Sequence, residues 1–149
     1  TVVVNAVHRV ALGVSFEQVA EQCGGCFIQA DCSVDADCRR LVVETVRRYG
    51  RLDALVINHG VMKLIRHKDL EAVSEEHLES VFRINVFGPF FLCRAAMPYL
   101  QTSSGSSICL LSSVAGLRPT KSSIPYASVT LQVCELLSAP PERPPASFF

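Results

Sequence analysis

Hydroxyl, carboxamide, imidazole and phenol groups stand where the apolar runs of this 149-residue chain break off. Asn58-His59-Gly60 follows the run from Asp53 to Ile57, and Ser112-Ser113 follows the run from Ser106 to Leu111. Asn85 interrupts an otherwise apolar helical face, and Tyr126 opens a helical pattern behind Pro125. Such groups donate hydrogen bonds and exchange protons, and glycine lets the backbone approach a ligand closely. Each also has a plain structural use: Ser112-Ser113 as a strand-to-loop pair, Asn85 as a buried hydrogen-bonding residue, Tyr126 as a packed aromatic. Cys23-Gly-Gly-Cys26 offers a second kind of chemistry, because C-x-x-C spacing serves redox and metal pairs. No second C-x-x-C or nearby histidine pair completes a zinc site, so the stretch reads first as a glycine turn between two small apolar residues.

These residues need a frame, and the chain supplies one by alternating short apolar runs with helical patterns. Thr1 to Ala6 is β-branched and reads as a strand; Phe16 to Gln22 is a short helical pattern stopped by Gly24-Gly25; Cys26 to Ala30 is a second strand ending at Asp31. Ser33 sits where an N-cap belongs, with Asp35 and Asp37 in the first turn of a helix that Gly50 ends. Leu41, Val42, Thr45, Val46 and Tyr49 mark its apolar face, while Arg39, Arg40, Arg47 and Arg48 read as a solvated face. Asp53 to Ile57 is a continuous apolar strand, expected to be buried on both faces. A long helix enters at Ser74-Glu75-Glu76 and runs towards Leu100, Ser106 to Leu111 is the next strand, and Tyr126 to Leu137 is the last helix. From Ala139 the tail has four prolines in eleven residues and cannot continue a helix or a central strand. The expected fold is therefore α/β, with about four strands of a parallel sheet in one domain. In such a sheet ligands bind outside the carboxyl ends of the strands, where the reactive groups lie.

Composition narrows the partners. Formal net charge is zero, which leaves no basic excess to neutralise nucleic acid or an anionic membrane. The apolar runs are far too short for a membrane span, and Thr1-Val2-Val3-Val4 has no basic flank of the secretory kind. A cytoplasmic location is expected, although the chain has no initiator methionine and a targeting signal can lie upstream. Seven cysteines, an odd number spread through periodic segments, do not make a secreted disulfide scaffold.

Four motifs in order carry a family likeness. RLDALVINHG resembles the strand of the short-chain dehydrogenases/reductases that ends in N-N-A-G, with Ile57 and His59 as departures. RINVFGPFF is similar to the helix carrying that family's asparagine, GSSICLLSSVAG to the strand that delivers its serine, and Pro125-Tyr126 to the start of its Y-x-x-x-K helix. Ser113 and Tyr126 stand 13 residues apart, a separation typical of the family. The resemblance covers about residues 1 to 130 and implies hydride transfer between a nicotinamide cofactor and a carbonyl or alcohol carbon. It assigns Tyr126 as the acid/base, Ser113 as donor to the substrate oxygen, and Asn85 as holder of a water in the proton relay. Asp31 falls where the family binds the adenine amino group, and Asn58 and Gly60 where the backbone meets the cofactor. NADP or NAD is implied, and Arg9 after the first strand leans the choice towards NADP, as a base for a 2′-phosphate. The partner implied is a small carbonyl or alcohol, with a homo-oligomer pairing through the long helix that bears Phe90.

Two departures qualify what the likeness implies. Gly13 and Gly24-Gly25 do not supply the glycine-rich turn that opens the family's fold and binds pyrophosphate. Thr130 stands four residues after Tyr126, in place of the lysine that holds the ribose and eases the tyrosine's proton loss. The expectation is an incomplete Rossmann-like domain over residues 1–138, followed by a proline-rich irregular tail over 139–149, truncated relative to the family and impaired as an enzyme. A non-catalytic binding module on the same scaffold is the alternative. A receiver-type domain is not, because it needs an acidic cluster and a lysine after a late strand.

Overall fold

A computed structural model describes residues 1–7, 10–11, 14–118 and 123–130. Expectations resting on Arg9, Gly13, the end of the last helix and the tail from Ala139 lie outside these described residues. In chain order the strands and helices are β1 (Val3–Ala6), β2 (Val10–Ala11), β3 (Val14–Ser15), α1 (Phe16–Gln22), β4 (Cys26–Gln29) and α2 (Asp35–Tyr49). They continue with β5 (Ala54–Ile57), α3 (Glu75–Phe82), α4 (Gly88–Leu100) and β6 (Ser107–Leu110), and residues 124–130 are again helical.

The four expected strands pair two and two, parallel within each pair. Val3 lies opposite Cys26 and Ala6 opposite Gln29, joining β1 to β4. Ala54 lies opposite Ser107 and Ile57 opposite Leu110, joining β5 to β6. The antiparallel ribbon of β2 and β3 was not expected, since strands of two residues show no periodicity.

Local chemistry explains the helix ends. The Ser15 hydroxyl accepts the Gln18 N–H at the start of α1, and Gly24, at φ 64°, turns the chain through Cys23-Gly-Gly-Cys26 into β4. Gly50, at φ 76°, ends α2 as expected, its N–H donating to the Val46 carbonyl. The expected N-cap at Ser33 is corrected: α2 starts behind Val34, without a side-chain cap. The reason is a competing turn, in which the Asp31 carboxylate takes the Ser33 N–H at 2.9 Å and Asp37 takes the Asp31 N–H at 2.8 Å. The arginine face is solvated as read: Arg39 pairs with Asp35 at 2.9 Å, Arg40 with Asp37 at 3.3 Å, and Arg48 with Glu44.

Ile28, Ala30, Cys38, Leu41, Ile57 and Leu92 form one buried cluster that joins both strand pairs to α2 and α4. Val42 of α2 meets Ala95, Ala96 and Leu100 of α4 in a second, where the small alanines let the helices come close. Each large side chain buried in this way contributes roughly 1.5–3 kcal/mol. On the far face of β4, Phe27 stacks on Phe16 of α1 with ring centroids 6.1 Å apart. β5 has no such second cover among the described residues. Leu55 and Ile57 face the core while Val56 is 64% exposed, which corrects the expectation of burial on both faces. α2 and α4 cover one side of β5 only, so its alternate residues meet solvent.

Candidate functional site

The loop after β5 is held by a side chain 24 residues away. Asn85 accepts the Val61 N–H on Oδ1 at 2.8 Å and donates from Nδ2 to the Val61 carbonyl at 2.9 Å. The carboxamide thus pairs with one residue's backbone as a neighbouring strand would. Gly60 lies beneath it, where an added Cβ would sit 3.3 Å from Asn85 Oδ1. Asn85 can reach because the helix loosens around it: Arg83–Phe87 form a π-helical turn between α3 and α4. Such turns recur at functional sites because the extra residue per turn re-aims a side chain.

His59 closes the floor. Its Nε2 lies 3.2 Å from the Ile84 carbonyl. Burial holds the imidazole below its ordinary pKa, and the weaker pulls of the Ile84 carbonyl and the Asp31 carboxylate oppose that effect. The ring needs the space beside Gly88, since a Cβ there would fall 2.8 Å from His59 Nε2 and 2.9 Å from the Cys32 carbonyl. The ends of β4 and β5 therefore meet at Gly88.

Above this floor opens a cleft of about 230 Å³, lined by residues that include Asn58, Gly60, Asn85, Ser112, Tyr126 and Thr130. Of the residues picked from sequence, Asn58, Gly60, Asn85 and Tyr126 come together here. Ser113 follows the lining residue Ser112 and does not itself line the cleft; its hydroxyl accepts the Ala115 N–H at 3.2 Å. Asp31 stays at the end of β4, turned onto the Ser33 N–H. Thr130 is 6% exposed, and its hydroxyl donates to the Tyr126 carbonyl at 2.6 Å. Ser112 donates to the Thr130 carbonyl at 3.2 Å and ties the end of β6 to the Tyr126 helix. Sequence reasoning did not single out Val61 or the bond from His59 to Ile84. The signal for the second was Pro89, directly after a helical Gly88.

Ligand pockets for whole small molecules run to roughly 300–1,000 Å³. A cleft of about 230 Å³ takes one ring and its immediate attachments, so its residues fit the reacting end of a dinucleotide and not its full length. Exposed Asn58 and Gly60 leave a flank through which the remainder would pass. Among the described residues no helix is long and apolar enough to cross a membrane.

A family model described as short chain dehydrogenase matches residues 3–138. A Streptomyces violaceoruber protein described as ketoacyl reductase 2 of the granaticin polyketide synthase is 46% identical over 101 residues, covering 68% of this chain and 41% of the relative. L-fucose dehydrogenase of Oryctolagus cuniculus is 32% identical over 116 residues, covering 78% of this chain and 40% of the relative. Among solved structures, a short-chain dehydrogenase/reductase from Brucella melitensis, described as a glucose/ribitol dehydrogenase, superposes with a TM-score of 0.78 at 25% identity. That match covers 90% of this chain and 54% of the other. The chain thus spans less than half the length of the first two relatives.

Proposed function

This chain belongs to the short-chain dehydrogenase family, and on that premise we propose that its cleft serves NAD(P)-dependent hydride transfer between a nicotinamide and a small carbonyl or alcohol, in an impaired form. The observation that supports this is the convergence of Asn58, Gly60, Asn85 and Tyr126 on one cleft at the carboxyl ends of β5 and β6. The cofactor, when bound, supplies or accepts the hydride. Asn58 and Gly60 hold its reacting end, and the Asn85 clamp on Val61 keeps that floor in place. Hydride arriving at a carbonyl carbon builds negative charge on the oxygen, which a hydroxyl donor stabilises and a phenol quenches. Tyr126, which lines the cleft, gives the proton; Ser113, next to the lining residue Ser112, has its oxygen held by the Ala115 N–H and would have to turn its hydroxyl towards the cleft to donate to the substrate oxygen. Asn85 retains a second Nδ2 hydrogen beyond the Val61 carbonyl, through which it holds a relay water.

Impairment follows from Thr130. A lysine at this position would set a fixed positive charge beside the phenol and favour proton loss. Thr130 is neutral, and its hydroxyl is already engaged by the Tyr126 carbonyl. Asp31, proposed for the adenine end, holds the Ser33 N–H with its carboxylate. Copies pair through the face of α4 bearing Phe90, which is 60% exposed beneath the Arg94 guanidinium.

Isothermal titration with NADPH and with NADH tests the reading. Weak binding of either, well above micromolar, is expected, and micromolar affinity for one of them overturns the impairment. Thr130→Lys, which adds a fixed positive charge beside the phenol, is expected to raise cofactor-dependent reduction of a carbonyl panel by about tenfold, roughly 1.4 kcal/mol of barrier. A Thr130→Lys protein that binds cofactor and reduces nothing would favour the non-catalytic module.

A further inference from the structure

A π-helical turn moves each carbonyl's partner from the fourth residue ahead to the fifth. In Arg83–Phe87 the Gly88 N–H is taken by the Arg83 carbonyl, so the Ile84 carbonyl is referred to residue 89. Residue 89 is proline, which has no N–H to give. A half-buried carbonyl left unpaired is costly, and the turn carrying Asn85 would relax towards a geometry that pairs it.

The imidazole of His59 stands at the vacant place, with Nε2 3.2 Å from the Ile84 oxygen. We propose that His59 is a positioning residue of the cleft: its Nε2–H donates to the carbonyl that Pro89 cannot serve, and so fixes the turn that aims Asn85 at the Val61 backbone. Three observations bear on this independently of any reaction. The ring's place is reserved by Gly88, where a Cβ would fall 2.8 Å from Nε2. Asn85 directs both ends of its carboxamide to the one residue that follows His59-Gly60. His59 and Asn85 thereby link the same loop to the same turn at two points, one through a side chain from each partner. Donation to a carbonyl also selects the tautomer, leaving Nδ1 as the acceptor nitrogen. Only the bearing of this device on turnover rests on the proposed function. Its bearing on the turn does not.

Amide hydrogen exchange at Val61, measured on the full chain without cofactor, reads the Asn85 clamp directly. His59→Ala is expected to speed Val61 exchange by about tenfold, as loss of one hydrogen bond would. His59→Gln, whose amide nitrogen can reach the same oxygen, is expected to stay within about threefold of the parent. The decisive variant is the double change His59→Ala with Pro89→Ala, which restores an N–H at position 89 and should recover the slow exchange. A histidine that merely fills space would be rescued by neither. Unchanged Val61 exchange in His59→Ala overturns the proposal, as does a double variant that exchanges no more slowly than the single. If His59→Ala fails to fold, the double variant must restore folding, and its failure to do so also overturns the proposal. Because no cofactor is used, negative dinucleotide titrations would not touch this result.

Discussion

The two parallel strand pairs differ in how they are covered, and the difference accounts for where the cleft lies. β4 is packed on both faces: Ile28 enters the core shared with α2 and α4, and Phe27 stacks on Phe16 of α1 on the other side. β5 is packed on one, with Ile57 buried and Val56 in solvent. The pair covered twice ends in a turn whose polar groups bond among themselves, Asp31 with Ser33 and Asp37 with Asp31. The pair covered once ends in Asn58-His59-Gly60 and Ser112, which line the cleft or its floor. Full packing leaves a strand end closed, and one open side accompanies a strand end whose loops lean on distant elements, Asn85 foremost.

The largest expected effect breaks this comparison within β5. Ile57→Ala should lose about 2–5 kcal/mol in urea unfolding, while Val56→Thr next to it should stay within about 0.5 kcal/mol. Equal losses would mean that β5 is covered on both sides. Next, Phe27→Ala tests the double cover of β4. A loss of roughly 1.5–2.5 kcal/mol is expected, below the full-burial value because the ring is half-exposed, and a negligible loss would remove the contrast with Val56.

The smallest effect lies at the seam. Burial lowers the His59 pKa in the folded state from an ordinary 6.5, so below pH 6.5 the unfolded chain takes up a proton that the folded chain refuses. Stability is therefore highest above that pH and falls as the pH drops through it, with a limiting slope of about 1.4 kcal/mol per pH unit. His59→Gln should flatten the urea midpoint between about pH 6.5 and 5, where ordinary carboxylates remain ionised. A slope unchanged by the substitution would place the titrating group elsewhere.

Much of this frame was legible because strands and helices here carry their own punctuation. Phe16 to Gln22 has the bounds of α1, and Gly50 ends α2 where its φ requires a glycine. Asn58 and Gly60 could be picked out at the end of an apolar run, Asn85 as a polar break in an apolar helical face and Tyr126 at a helix start behind Pro125, each matched by the family's motifs. What escaped depends on relations between distant residues. Val56 sits in an unbroken apolar run, and such a run says nothing of whether a second layer covers it. Ser33 has the right chemistry for an N-cap, but Asp31 reaches the turn first. The π-helical turn refers the Ile84 carbonyl to Pro89, which has no N–H, and brings it to His59 across 25 residues; neither relation leaves a periodic trace.

Gly88 joins two loops that the chain keeps far apart. With hydrogen in place of a side chain, it lets the imidazole from one loop and the Cys32 carbonyl from the other rest against a single backbone position. A smaller residue at position 59 would not free position 88, because the Cys32 carbonyl, 2.9 Å from an added Cβ, belongs to the backbone. The bare position is thus demanded by the end of β4 alone, and the ring from the other loop settles into room that is already kept open.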